Sequence, residues 1–451
     1  MFDSNVPRGA ITWRIQGPMN TLPVAPQSRR HFLGTTAALT PVLFPYVLRG
    51  ADGKDASNQD TLKIGLVGCG GRGSGAAQQA LTADSNTKLH AVADVLPEKA
   101  EATLKMLGDH FAGRVEVPKE RQFIGLDGYL KLIECCDVVI LASPPGFRPG
   151  HLAAAVEAGK HIFCEKPMAV DAAGCRVALE AIRKSQEKKI NIVAGFCWRR
   201  SASRRVAFQR LHDGKIGDVA SILATYHTGP VKPMLDASAR PAGMSDVEWQ
   251  VRNWYNFSWL SGDGLVEQAV HSVDKICWAM KDVNPISAVA TGGRQIPSAG
   301  GNIFDHFHVA YEFDNNVFCH LASRQITGCY NENTDFIRGT KGALIIGKGD
   351  MPCMEGEDRW RFRGNDKNMY QVEHDELFAA IRKGEMLNDG DWMVHSTMVG
   401  LMGRMAAYTG KKIAWADFIK SDEDLAPEQT LKWTDSFAPT PMPMPMPGQK
   451  E

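Results

Sequence analysis

The chain is 451 residues long, with 44% apolar and 23% charged residues, and Lys plus Arg match Asp plus Glu at 51 each. That length suits two domains, each able to bury its own core, and the balanced charge supplies no field toward nucleic acid or an anionic membrane. Ten cysteines without a C-x-x-C pair or zinc-like spacing exclude a disulfide scaffold and argue against a cysteine metal site.

Residues 1–60 read as a twin-arginine signal and linker. Ser28-Arg29-Arg30-His31-Phe32-Leu33 leads into a weakly apolar run, Gly34 to Leu48, and then a polar stretch from Asp52 to Asp60. A basic pair ahead of a short apolar segment is a signal-peptide layout, and paired arginines specify the route that carries folded proteins. The run is too short for a membrane span, and Pro41 and Pro45 oppose one. The expectation is export to the periplasm or cell envelope; the alternative is a disordered N-terminus with a chance Arg-Arg.

Residues 61–185 read as a dinucleotide-binding domain. A buried strand, Leu62 to Val67, runs into Gly68-Cys69-Gly70-Gly71-Arg72-Gly73 and then a helix-compatible stretch, Ser74 to Ala83. The pattern fits G-x-G-x-x-G: a tight turn, close backbone approach to a pyrophosphate, and close helix–strand packing. The helix N-terminus adds amide donors and a favourable dipole. A second strand, Lys88 to Ala93, ends in Asp94, where an acid binds ribose hydroxyls and repels a ribose phosphate. NAD is therefore expected over NADP. Strands at Asp137–Ala142, His161–Cys164 and Asn191–Phe196 alternate with helices at His151–Ala158 and Ala172–Lys188. This alternation predicts a parallel sheet with right-handed crossovers. Ligands gather at the carboxyl ends of such strands, which adds Pro144 and Glu165 to the cofactor candidates beside Gly68, Gly70, Gly71, Arg72, Gly73 and Asp94. Lys166 lies just past a strand end and is the first candidate for chemistry.

Residues 186–433 read as a substrate-binding α+β domain. Candidate strands at Val219–His227, Ile286–Arg294, His306–Phe313, Val317–Arg324 and Ala343–Ile346 often alternate with period two. Phe313 to Val317 looks like a hairpin. A large, mostly antiparallel open sheet with helices on one face is expected. Helices at Glu373–Lys383 and Trp392–Thr409 pack on that sheet or return toward the first domain. Residues 434–451 form a Pro-rich tail that cannot be helix or central strand. If the chain after Gly264 is helical, Glu267 and His271 lie one turn apart on one face, with Asp274 nearby. A carboxylate so placed can orient an imidazole and raise its basicity; a helix with a few satisfied polar residues is the plainer alternative. Trp198, Arg199, Trp254, Tyr255 and Asp274 are substrate candidates. Arg200, His227 and Arg324 are weaker ones, and His306 with His308 makes a poor metal pair, so no metal is expected.

The glycine fingerprint, Glu165-Lys166-Pro167 and the glycine-rich lead into Glu267-x-x-x-His271 together resemble the glucose–fructose oxidoreductase/inositol dehydrogenase/MocA (Gfo/Idh/MocA) family from Leu62 to about Trp433. The resemblance implies a Rossmann domain followed by the α+β domain. It places Lys166 against both substrate and nicotinamide and maps an acid–base histidine to His271. The family's aspartate four residues before that histidine is here Glu267. Arg252-Asn253-Trp254-Tyr255 and Glu267-Gln268 look like an exported subgroup.

The leading expectation is NAD(P)-dependent oxidation of a secondary hydroxyl on a sugar, polyol or sugar derivative. His271 takes the hydroxyl proton, Lys166 stabilises the alkoxide, and Glu267 orients His271 or binds a neighbouring hydroxyl. Free dinucleotide is scarce outside the cytoplasm, so a tightly held cofactor is expected. The alternatives are a glycosidase acting by transient oxidation, elimination, hydration and re-reduction, with His271 or Tyr255 as base, and a non-catalytic binding protein on the same scaffold. A homo-oligomer is expected, a dimer or tetramer, with no nucleic-acid partner and no stable membrane span.

Overall fold

The computed structural model describes residues 60–296, 300–347, 350–425 and 431–435. All of the expected signal and linker at 1–60 except Asp60, and nearly all of the tail, lie outside the described residues. The first region runs β1 (Leu62–Val67), α1 (Gly71–Ala83), β2 (Thr87–Asp94), α2 (Pro97–His110), β3 (Gln122–Ile124), α3 (Gly128–Cys135), β4 (Val138–Leu141), α4 (Arg148–Glu157), β5 (His161–Cys164), α5 (Ala172–Glu187) and β6 (Ile192–Ala194). Among the described residues these strands form a six-stranded sheet ordered β3-β2-β1-β4-β5-β6, with every neighbouring pair parallel. Helices cover both faces, so Val138 to Leu141 are all fully buried, the mark of a strand with no wet side. The order reverses between β1 and β4, which opens a crevice at their carboxyl ends.

Two features differ from the sequence reading. The segment α2–β3–α3 was not predicted: β3 has three residues, too few to show a period. The sheet also takes in β6, beyond the 61–185 span, because β6 pairs with β5.

The second region adds α6 (Ala202–His212), β7 (Val219–Thr228), α7 (Asp246–Arg252), α8 (Ser258–Ser261), a wide π turn (Leu265–Ala269) and α9 (Val270–Ala279). Strands β8 (Ser287–Gly293), β9 (His306–Phe313), β10 (Val317–Gln325), β11 (Thr334–Gly339), β12 (Gly342–Gly347), β13 (Cys353–Gly356) and β14 (Trp360–Arg361) follow. Helices α10 (Met369–Lys383) and α11 (Gly390–Thr409) and strand β15 (Ile413–Ala414) complete it. Its nine described strands are ordered β14-β13-β12-β11-β7-β10-β9-β8-β15. All pairs are antiparallel except β7 with β10. The predicted hairpin is the β9–β10 connection, and its residues alternate: Phe307, Val309, Tyr311 and Phe313 are buried while His308 is exposed. Leu223, Val289 and Phe318 stand exposed.

The late helices do both things expected of them. α11 packs on β8, α9 and α5, and α10 crosses back onto α1, with His374 4.1 Å from Phe163 of β5, ring to ring. No helix among the described residues is long and apolar enough to cross a membrane.

Candidate active site

The glycine loop is closed on its inner side and open on its outer side. Gly68 sits at φ +92°, and a Cβ on Gly73 would lie 1.8 Å from the Gly68 carbonyl oxygen. A Cβ on Gly70 or Gly71 would meet nothing within 4 Å. α1 begins with no side-chain cap and no acid in its first turn, so its amide donors face outward as an anion site. The residues present therefore fit a dinucleotide pyrophosphate. Asp94 closes the neighbouring cleft, which Gly68, Val95, Ser143, Pro144 and Phe147 also line. Its Oδ2 accepts the Cys69 amide at 2.6 Å and its Oδ1 the Leu96 amide at 2.9 Å. Burial raises the Asp94 carboxyl above its ordinary value, and those amides oppose the shift.

Arg72 and Glu165 are joined to each other. Arg72 donates to Glu165 Oε1 from Nε at 3.0 Å and from Nη2 at 2.5 Å, and its guanidinium stands 4.6 Å from the centre of the Tyr370 ring. Glu165 is buried while the Arg72 side chain remains 47% exposed. This pair ties the glycine loop to the residue before Lys166.

Lys166 Nζ donates to Glu267 Oε1 at 3.0 Å and to the Glu267 main-chain oxygen. Both side chains are about nine-tenths buried, and removing one partner of such a pair typically costs about 3–5 kcal/mol. Glu267 Oε2 accepts from Gln268 Nε2 at 2.7 Å, and Gln268 Oε1 accepts from the Tyr226 hydroxyl at 3.0 Å. The buried Tyr255 hydroxyl donates to Gln325 Oε1 at 2.7 Å. Burial first, and the Glu267 charge next, hold the Tyr255 phenol well above its ordinary value.

His271 is buried, and its Nδ1 has no hydrogen-bond partner among the described residues. Burial, then the charges of Lys166, Lys275 and Arg72, push its imidazole well below the ordinary 6.5. The ring is neutral at pH 7 and able to accept a proton. Lys275 is itself held by Asp335 in a second buried ion pair.

Several sequence expectations are corrected. Glu267 does not orient His271: its two oxygens go to Lys166 and Gln268. Residues 265–269 wind as a π turn, and its i→i+5 bonding breaks the i,i+4 register that places a carboxylate above a histidine. Asp274 and Arg199 are paired with each other. Arg199 Nε donates to Asp274 Oδ1 at 2.9 Å, its Nη atoms bind Asp282, and its guanidinium lies 4.2 Å from the Trp392 ring centre. Ser396 also donates to Asp274 at 2.8 Å. Arg200 is likewise taken, by Asp389 and Glu376. Trp198 is buried between the Arg204 guanidinium at 4.0 Å and the Lys275 ammonium at 4.6 Å. Trp254 packs in an apolar cluster around Trp249 and Trp259. Of the five substrate candidates, Tyr255 alone carries a hydroxyl in the electrostatic reach of Glu267.

The sequence reading missed Tyr226, Gln268 and Gln325. It singled out His227 and Arg324, each one residue from the side chain that reaches inward. Successive residues on a strand face opposite ways: Tyr226 is buried and His227 half-buried.

Residues 62–192 match the model of an oxidoreductase family with an NAD-binding Rossmann fold, and residues 205–345 match the GFO/IDH/MocA C-terminal domain. An inositol 2-dehydrogenase of Acidothermus cellulolyticus is 26% identical over 343 residues, which cover 74% of this chain and 88% of that one. A 2,7-anhydro-N-acetylneuraminate hydratase of Escherichia coli is 25% identical over 265 residues, 58% of this chain and 63% of that one. The aldose–aldose oxidoreductase structure from Caulobacter crescentus superposes with a TM-score of 0.61 at 19% identity, covering 78% of this chain and 99% of that one. A nucleotide-binding parallel sheet joined to this second domain makes the chain an NAD(P)-dependent oxidoreductase. The two matches together span more than half of its length, and the chain belongs to the GFO/IDH/MocA family.

Proposed function

We propose that the chain reversibly oxidises a secondary hydroxyl of a sugar, polyol or sugar derivative, with NAD tightly held. The observation that carries this reading is the buried Lys166–Glu267 pair at the carboxyl end of β5, with a neutral His271 under its field. The relatives' names, an inositol dehydrogenase and an aldose–aldose oxidoreductase, supply the substrate class.

His271 takes the proton of the substrate hydroxyl, and burial keeps it in the neutral form that is free to accept one at pH 7. Lys166 presents its ammonium to the oxygen as negative charge develops there. Glu267 anchors Lys166, and the Gln268–Tyr226 chain fixes Glu267 in turn. When bound, NAD supplies the hydride acceptor; Gly68 to Gly73 and Asp94 would hold it. Asp94 favours NAD over NADP, since a carboxylate beside the ribose repels a 2′-phosphate.

A second reading is a closed redox cycle that ends in glycoside cleavage or hydration. The hydratase relative favours it, with His271 as the base, since burial and the Glu267 charge keep the Tyr255 phenol protonated. The exposed Leu223, Val289 and Phe318 of the second sheet support pairing with a second copy. A tightly held cofactor also fits the export expected from Arg29-Arg30, because a folded protein crosses with its nucleotide aboard.

The test is the near-ultraviolet absorbance of the purified protein mixed with sugars, polyols and glycosides without added nucleotide. A single-equivalent rise that continues only with supplied NAD supports the dehydrogenase. A transient rise that falls back while substrate keeps disappearing supports the closed cycle.

A further inference from the structure

We infer that the segment from α7 to α8, residues 246–261 of the second region, is a strap across the ribose end of the nucleotide cleft that sets how slowly the dinucleotide leaves. The inference rests on the reading that NAD occupies this cleft, and it supplies a physical cause for tight retention.

Four contacts seat the strap on the nucleotide side. Val251 of α7 lines the same cleft as Gly68, Asp94 and Pro144. Arg252 Nη1 reaches Glu98 of α2 at 2.6 Å. The Trp259 ring meets Phe147 edge-on at 5.8 Å between centres. The backbone of α8 lies so close to the turn after β4 that a Cβ on Gly146 would stand 2.2 Å from the Trp259 carbonyl oxygen. Val95 and Phe147, both lining the cleft, pack into one apolar cluster with Val247, Trp249, Val251, Phe257, Trp259 and Leu260.

The strap is held from its outer side as well. Ser245, which caps α7, donates to the Trp433 carbonyl, and the Val247 amide reaches the Asp435 carbonyl at 3.5 Å. Leu425, Leu431 and Trp433 pack against the same cluster. Within the strap, Trp259 Nε1 donates to Gln250 Oε1 at 2.6 Å. The segment is thus an apolar layer clamped between the cleft and the chain's last described residues. The Arg252–Glu98 pair is 34% and 52% exposed, so it guides registry while the apolar seam carries most of the closure. Release of a dinucleotide from the Asp94 end requires this seam to part.

The test uses the full chain loaded with NADH, diluted into excess NAD, with loss of bound-nicotinamide fluorescence as the clock. Trp433→Ala loosens the clamp at a residue outside the cleft lining, and release should quicken about tenfold, since such changes fall mainly on the off-rate. Arg252→Glu should quicken release about threefold, and Arg252→Glu with Glu98→Arg should restore it. Wild-type release rates in both Trp433→Ala and Arg252→Glu overturn the strap and leave the reading of the site standing. Failure of every form, wild type included, to bind NADH overturns both.

Discussion

The glycine loop of the nucleotide end comes from one unbroken stretch, β1 to the start of α1, with Asp94 one strand away. The reacting end draws Lys166 from the tip of β5, Glu267 from a π turn, His271 from α9, Tyr226 from β7 and Gln325 from β10. The first is backbone chemistry: amide donors, a helix dipole and places where no Cβ fits. The second is side-chain chemistry, in which buried charges are stable only because each has its partner. Substitutions should therefore fail differently at the two ends, through geometry at one and through unpaired charge at the other.

The largest effect is expected at the base. His271→Ala should lower kcat/KM about 10²–10⁴-fold, the usual range for a general base, with dinucleotide affinity unchanged by fluorescence titration. Unchanged turnover would remove His271 from the chemistry. Glu267→Ala should destabilise the fold by about 3–5 kcal/mol in denaturant, as breaking a buried ion pair does. A loss below about 1 kcal/mol would mean that Lys166 reaches water without its partner.

At the nucleotide end, Gly73→Ala and Gly70→Ala form a matched pair. Gly73→Ala drives a methyl into the Gly68 carbonyl and should lower both Tm and NAD affinity. Gly70→Ala meets open space and should keep its Tm while weakening NAD about tenfold or more by calorimetry. Equal effects on Tm would break the distinction between an inward and an outward side of the loop.

The pH profile sharpens the contrast. The active His271 is neutral, and its imidazole is held well below 6.5 by burial and by Lys166, Lys275 and Arg72. As pH falls through that depressed value the ring protonates and oxidation slows. The acid limb of kcat/KM should therefore lie below pH 6.5 and vanish in His271→Ala; a limb above 6.5 assigns it to another group. The smallest effect is expected for Tyr226→Phe, which removes the last hydrogen bond of the chain. It should cost about 1 kcal/mol, or about fivefold in kcat, with KM nearly unchanged.

What was legible in sequence follows the same division. A contiguous motif states its own geometry, so Gly68 to Gly73, Asp94 and the alternating strands could be read directly. Lys166 and His271 were legible as residues, through Glu165-Lys166-Pro167 and the histidine four past Glu267. That Glu267 pairs with Lys166 and not with His271 was not legible, because a π turn at 265–269 has no signature in apolar period. Tyr226 and Gln325 were missed for another reason: a strand's inward face is defined only once its sheet is assembled, and a one-residue slip exchanges Tyr226 for His227. Arg199 looked like a site residue because it follows a strand end, and Asp274 because it lies three past His271, yet each neutralises the other in the interior.

The most direct test is a single-turnover comparison of wild type and Lys166→Ala, each loaded with NAD and mixed with a substrate found among sugars and polyols, followed by reduced-nicotinamide absorbance. The expected result is a rate about 10²–10³-fold lower in Lys166→Ala, with the nucleotide still bound. An equal rate in the two proteins would contradict the assignment of Lys166 to the reacting oxygen, and with it the account of the site.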